Sequence, residues 1–255
     1  MKKSIARFVR PLLRSYGLDI VRFDQRRQGL PVDFSEEDAT IVAAVQPYTM
    51  TGAERVYALV QAVRYVVVNN IPGAIVECGV WKGGSMMAVA MALVKLGVSD
   101  RDLYLYDTFE GMTAPGAIDV SHQGKKAAEM FEGTRIGDDS SDWCNASIEE
   151  VRETLLSTGY PAERLHFVKG KVEDTIPEVA PEAIAILRLD TDWYESTRHE
   201  LQHLYPRISR GGALVLDDYG HWLGSRQATD EYIAQHNLPL LLNRIDYSGR
   251  IGLKL

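Results

Sequence analysis

AIVECGVWKGGS, residues 74–85, decides the fold. Ala74, Ile75 and Val76 read as the end of a buried strand, closed by Glu77 and Cys78. Gly79, Gly83 and Gly84 then allow close backbone approach, and residues 85–96 are apolar enough for a packed helix. Strand, glycine-rich turn and helix in this order form a nucleoside-binding unit.

The turn is not the dinucleotide fingerprint, which places glycines first, third and sixth so that a pyrophosphate rests on the helix N-terminus. Here Trp81 stands between Gly79 and the Gly83–Gly84 pair, and an acid, Glu77, precedes the turn. A carboxylate beside a pyrophosphate repels it, so the pattern suits a nucleoside cofactor without phosphates. S-adenosylmethionine is such a cofactor.

Five apolar runs alternate with helical patterns: residues 74–78, 103–107, 165–168, 183–190 and 213–218. The alternation predicts a parallel sheet covered by helices on both faces. Residues 52–70 predict a helix with Val56, Leu59, Val60, Val63 and Val67 on one face, ended by Pro72 and Gly73. After a last crossover helix near residues 225–236 come two strand-like runs about the pair Ser248–Gly249, which predict a hairpin. The expected fold is therefore α/β, a mostly parallel seven-stranded sheet ending in an antiparallel hairpin. That is the Rossmann-like layout of class I methyltransferases, an analogy of fold until a site supports it.

A chain of 255 residues fits one such domain, taken as 47–255, with an N-terminal extension over 1–46. Net charge −7 and a pI near 5.4 argue against a general nucleic-acid binder. Two cysteines, Cys78 and Cys144, give no disulfide framework, so a cytoplasmic location is expected. Lys2, Lys3, Arg7, Arg10 and Arg14 interrupt the apolar residues of the N-terminus. It reads as a solvated basic arm rather than a signal peptide or membrane span. Residues 108–145, rich in Gly, Asp and Ser with a helical hint only at 125–131, are long enough to be a functional loop and are read as a lid.

Ligands of open parallel sheets bind beyond the carboxyl ends of the strands, and acids stand at those ends here. Asp107 closes the second run, where a carboxylate accepts both ribose hydroxyls of a nucleoside. Asp190 and Asp192 stand at the end of the fourth run, and Asp217 and Asp218 at the end of the fifth. Carboxylates converging there repel one another unless a cation sits among them, and hard oxygen ligands point to Mg²⁺, with Mn²⁺ and Ca²⁺ as alternatives.

Two motifs compete with this reading. HELQH at 199–203 has the spacing of a zinc peptidase, but helical geometry turns His199 and His203 away from the face shared by Leu201, Leu204 and Ile208, and Pro206 ends the helix. The D-T-D of residues 190–192 matches the metal motif of glycosyltransferases, which makes a metal-dependent glycosyltransferase the alternative function. It explains neither the Glu77 turn nor the second acidic pair.

PYTMTGAER (47–55), VECGVWKGGSM (76–86), LYDTFEGM (105–112), VKGKVEDTIP (168–177), LRLDTDWYEST (187–197), LYPRISRGG (204–212) and LDDYG (216–220) together resemble the TylF/MycF family of macrocin-type sugar O-methyltransferases. The family includes antibiotic-tailoring enzymes. The resemblance implies S-adenosylmethionine as methyl donor and Mg²⁺ dependence, with Asp190, Asp217 and Asp218 holding the metal and Asp192 as general base. It further implies Met50, Glu77, Gly79, Ser85, Asp107, Thr108, Phe109, Glu173 and Asp174 at the cofactor, a sugar or glycoside as acceptor, and a homodimer or higher oligomer.

Overall fold

A computed structural model of the chain describes residues 11, 13–15 and 29–255. The stretch carrying Lys2, Lys3, Arg7 and Arg10 lies outside them. The chain divides into two compact units, 1–39 and 40–255, and the second carries the site.

After helices α1 (Glu36–Val45) and α2 (Ala53–Val68), strand β1 (Ala74–Cys78) leads into α3 (Gly84–Lys95) and β2 (Leu103–Asp107). An insertion with the short helix α4 (Ala127–Thr134) follows, then α5 (Ile148–Leu156), β3 (Leu165–Lys169), the single turn α6 (Val172–Thr175), β4 (Ile184–Leu189), α7 (Tyr194–Leu204), β5 (Ile208–Leu216), α8 (Leu223–Gln235), β6 (Asn243–Arg244) and β7 (Arg250–Leu253). The seven strands are ordered β3-β2-β1-β4-β5-β7-β6. The first five are parallel and β7 runs antiparallel to β5 and β6, as expected.

The period of two along the strands divides the interior into two cores. Ile75, Leu105, Ile186 and Val215 pack with α2, α3 and α5. Their sequence neighbours Val76, Tyr106, Leu187 and Leu214 pack on the opposite face with α7 and α8. Because strands covered on both faces need apolar side chains in both phases, the central runs read as continuous rather than alternating.

Two elements differ from the sequence reading. β5 begins at Ile208, upstream of the predicted 213, and carries Gly211 and Gly212 where its register against β4 shifts. The hairpin is shorter than predicted and its loop is longer. Asp246 Oδ1 accepts the amides of Ser248 at 2.9 Å and Gly249 at 2.6 Å, so the loop is built around that carboxylate. Residues 239–242 stay out of the strand because Pro239 has no N–H to donate and Leu240 and Leu242 turn onto the core. Among the described residues no helix is long and apolar enough to cross a membrane.

Candidate active site

The strand order reverses direction between β1 and β4, and a cleft of about 440 Å³ opens at the carboxyl ends of the strands around that point. One end is formed by Tyr48–Thr51, Gly79–Trp81 and Ser85. The other is formed by the strand-end acids, His221, Trp222 and the insertion residues Met112, Lys125 and Trp143.

At the first end the glycines are required by contact. Gly79 has φ +81°, and a Cβ there would lie 2.1 Å from the Asp190 carbonyl oxygen. A Cβ on Gly84 would meet the Tyr48 carbonyl oxygen at 2.5 Å. The turn is held from β2: Asp107 Oδ2 accepts the amides of Val80 at 2.6 Å and Trp81 at 3.1 Å, and its Oδ1 accepts that of Phe109 at 2.8 Å. Burial raises the Asp107 pKa above the usual carboxylate value while these amides oppose the shift. Three of its roughly four lone-pair sites are thus taken by backbone, so Asp107 shapes the turn whatever else it binds.

Glu77 does not reach the cleft. It is 1% exposed and pairs across the sheet with Arg188, a guanidinium 3% exposed on β4. Burial pushes Glu77 up to about 7 in spite of that partner. Arg188 also donates to Asp217, to Asp190 at 2.7 Å and to Thr51 at 3.1 Å, so one buried cation joins β1, the acids and the segment carrying Met50. Arg55 donates to the other oxygen of Asp217 and stands 3.0 Å from Asp246. Sequence reasoning missed both arginines; the one signal was a charge inside the apolar run 183–190.

Asp190, Asp192 and Asp218 each present an oxygen to a common point, all within 4.8 Å of one another. Asp217 lines the same cleft with its carboxylate on the two arginines, which leaves about two lone-pair sites open. Asp192 has φ +67° and donates its amide to Asp218 Oδ2 at 3.3 Å. Burial pushes the Asp192 carboxyl up to about 7 and raises Asp190 and Asp218 well above the usual value, with the neighbouring carboxylates adding to the shift. Carboxylates outnumber the two guanidiniums, so the donor set fits a hard dication.

The remaining predicted residues scatter. Met50, 65% exposed, and buried Ser85 line the main cleft. Thr108 and Glu173, with Gly79 and Asp107, line an adjoining cavity of about 60 Å³. Phe109 is buried at φ +52° with its amide on Asp107. Asp174 is exposed and lines neither cavity.

In HELQH the imidazoles are half-buried rather than solvated, and His199 Nε2 donates to the Ile176 carbonyl at 2.8 Å. Glu200 is the fully buried member and accepts the Thr191 hydroxyl at 2.9 Å, so the motif braces the D-T-D turn. Trp193 packs edge to face against Trp143 and Trp222, which are tilted against each other, with the three ring centres 5.2–6.1 Å apart where the insertion meets the acidic strand ends.

Residues 22–251 match the model of the macrocin-O-methyltransferase (TylF) family. Demethyldecarbamoylnovobiocin O-methyltransferase of Streptomyces niveus is 31% identical over 226 residues, covering 85% of this chain and 83% of that protein. Mycinamicin III 3''-O-methyltransferase of Micromonospora griseorubida is 30% identical, covering 84% and 80%. The solved O-methyltransferase NovP is 32% identical and superposes with a TM-score of 0.71 over 81% of this chain and 82% of its own. The calicheamicin methyltransferase CalS11, 18% identical with a TM-score of 0.59 over 92% and 99%, shares the fold. With the glycine turn, the strand-end acids and this similarity over most of its length, the chain belongs to the macrocin-O-methyltransferase (TylF) family and is an S-adenosylmethionine-dependent O-methyltransferase.

Proposed function

We propose that the chain methylates a hydroxyl of a sugar, carried on a glycosylated natural product, with help from a divalent cation, Mg²⁺ foremost. The observation that carries this reading is the convergence of Asp190, Asp192 and Asp218 next to the glycine turn. The relatives' names support the acceptor class, since one is a 4'-O-methyltransferase of a rhamnosyl-tetracenomycin, 32% identical over 79% of this chain, and another a 3''-O-methyltransferase of mycinamicin III.

In this reading Gly79–Trp81 and Ser85 of the main cleft, with Thr108 and Glu173 of the adjoining cavity, would hold the nucleoside. Asp190 and Asp218 hold the cation, joined by Asp217 through the lone pairs its arginines leave open. Asp192 sits beside them as the general base. When bound, the dication supplies Lewis acidity that eases loss of a hydroxyl proton. Asp192 takes that proton while the acceptor oxygen attacks the sulfonium methyl in line; the carbon–sulfur bond breaks and its electron pair stays on sulfur. Trp222 and Trp143 wall the acceptor side and limit water. Holding the acceptor hydroxyl against Asp192 supplies much of the rate.

The test separates base from ligand. Asp192→Asn should bind cation and S-adenosylhomocysteine nearly as the parent does while turnover falls on the order of 10²-fold or more. Asp190→Asn should lose the cation in calorimetry. Loss of cation binding in Asp192→Asn equal to that in Asp190→Asn would make Asp192 a ligand and overturn its assignment as base.

A further inference from the structure

The insertion is fastened to the acidic site through one buried carboxylate. Asp119 is 2% exposed. Its Oδ1 accepts the amide of Tyr194 at 2.9 Å and its Oδ2 that of Gly116 at 2.7 Å. Tyr194 is the first residue of α7, and Trp193, the residue in the capping position, makes no side-chain cap. The first amides of a helix lack intrahelical acceptors and carry its positive end, so a carboxylate arriving from a distant segment satisfies both needs.

Asp119 also touches the start of α8. A Cβ added to Gly224 would fall 1.9 Å from its Oδ1, and α8 likewise has no side-chain cap of its own. Backbone bonds reinforce the junction: the amide of Leu223 donates to Val120 at 2.9 Å and that of His122 to His221 at 2.7 Å. These two helices begin where the acids end. Asp192 lies two residues before Tyr194, and the carbonyl of Asp218 accepts the amides of His221 at 2.8 Å and Trp222 at 2.9 Å on the way into α8.

We propose that Asp119 is a positioning residue that clamps the N-termini of α7 and α8 and so fixes the turn that sets Asp190 and Asp192 against Asp218. Its consequence for cation binding rests on the function proposed above; the clamp itself does not. The near half of the insertion is then a preformed wall of the cleft.

Hydrogen exchange on the full chain tests the clamp, comparing the parent with Asp119→Ala and Asp119→Asn. Asparagine keeps an Oδ1 that accepts from Tyr194; alanine keeps nothing. Amides of residues 190–200 should exchange about tenfold faster in Asp119→Ala, the size of a lost helix cap, and near the parental rate in Asp119→Asn. Titration of Mn²⁺ with S-adenosylhomocysteine present should show the alanine variant binding the ion about tenfold more weakly, with the homocysteine affinity unchanged. Parental exchange in Asp119→Ala overturns the proposal. So does equal loosening of α2 and α3, which would make Asp119 an ordinary packing residue. If the parent takes up no Mn²⁺, the cation reading fails, and the exchange pattern still decides the clamp.

Discussion

Arg188→Met removes the charge on which the site's electrostatics turn. The guanidinium bonds Glu77, Asp190, Asp217 and Thr51 from a position 3% exposed. Without it Glu77, 1% exposed, has no counter-charge, whereas Asp217 keeps Arg55. Stranding one partner of a buried ion pair costs about 3–5 kcal/mol. For a domain of this size each kcal/mol lowers Tm by about 2–4 °C, so the loss should be roughly 6–20 °C. Burial already pushes Glu77 up to about 7, so the stranded acid escapes by taking a proton when the solution is acidic. The drop should therefore be near the low end at pH 6 and the high end at pH 8. Thermal melts in EDTA at both values read it. The double variant Glu77→Gln with Arg188→Met should recover most of the loss, because the fully buried acid is no longer stranded, while Asp190 is part-exposed to solvent. A single variant melting within about 2 °C of the parent at pH 8 would show that Arg188 is not the counter-ion of the site.

Glu77 and Asp192, with ordinary values of 4.5 and 3.8, are both raised to about 7 by burial. A raised folded-state pKa means that the folded protein binds protons more tightly, so this stabilisation is complete below the ordinary values and lost as pH rises through about 7. Metal-free protein should melt higher at pH 5.5 than at pH 8, and Mg²⁺ should restore stability mainly at pH 8; a profile flat across that window in EDTA would refute the burial argument. Gly79→Ala combines a left-handed backbone with a Cβ 2.1 Å from the Asp190 carbonyl, so calorimetry should show S-adenosylhomocysteine binding at least about tenfold weaker in a chain that still folds. Unchanged binding would place the nucleoside elsewhere.

The sheet was legible because strands buried on both faces leave continuous apolar runs, and β1 and β2 fall on the predicted residues. The convergence of acids was legible because Asp190, Asp192, Asp217 and Asp218 follow apolar runs of adjacent strands. What a single sequence withholds is which charges share a partner. Glu77 precedes the glycine turn as a cofactor residue would, yet the sheet register sets it against Arg188 instead. Asp107 stands at the expected strand end, but its carboxylate turns back to the amides of Val80 and Trp81. Asp119 belongs to a polar loop with no periodicity, and its role follows only from the tertiary approach of Tyr194 and Gly224. The same blindness applies to HELQH, whose spacing describes a helix face but not the buried contact of Glu200 with Thr191.

The cleft beside the glycine turn should hold the methyl donor next to a cation site. Calorimetric titration of S-adenosylhomocysteine into the purified chain, with Mg²⁺ and again with EDTA, and of UDP as the rival ligand, tests it most directly. Micromolar binding of the homocysteine, none of UDP, and a separate Mg²⁺ heat abolished by Asp190→Asn is the expected result. Binding of UDP in place of S-adenosylhomocysteine would contradict the account.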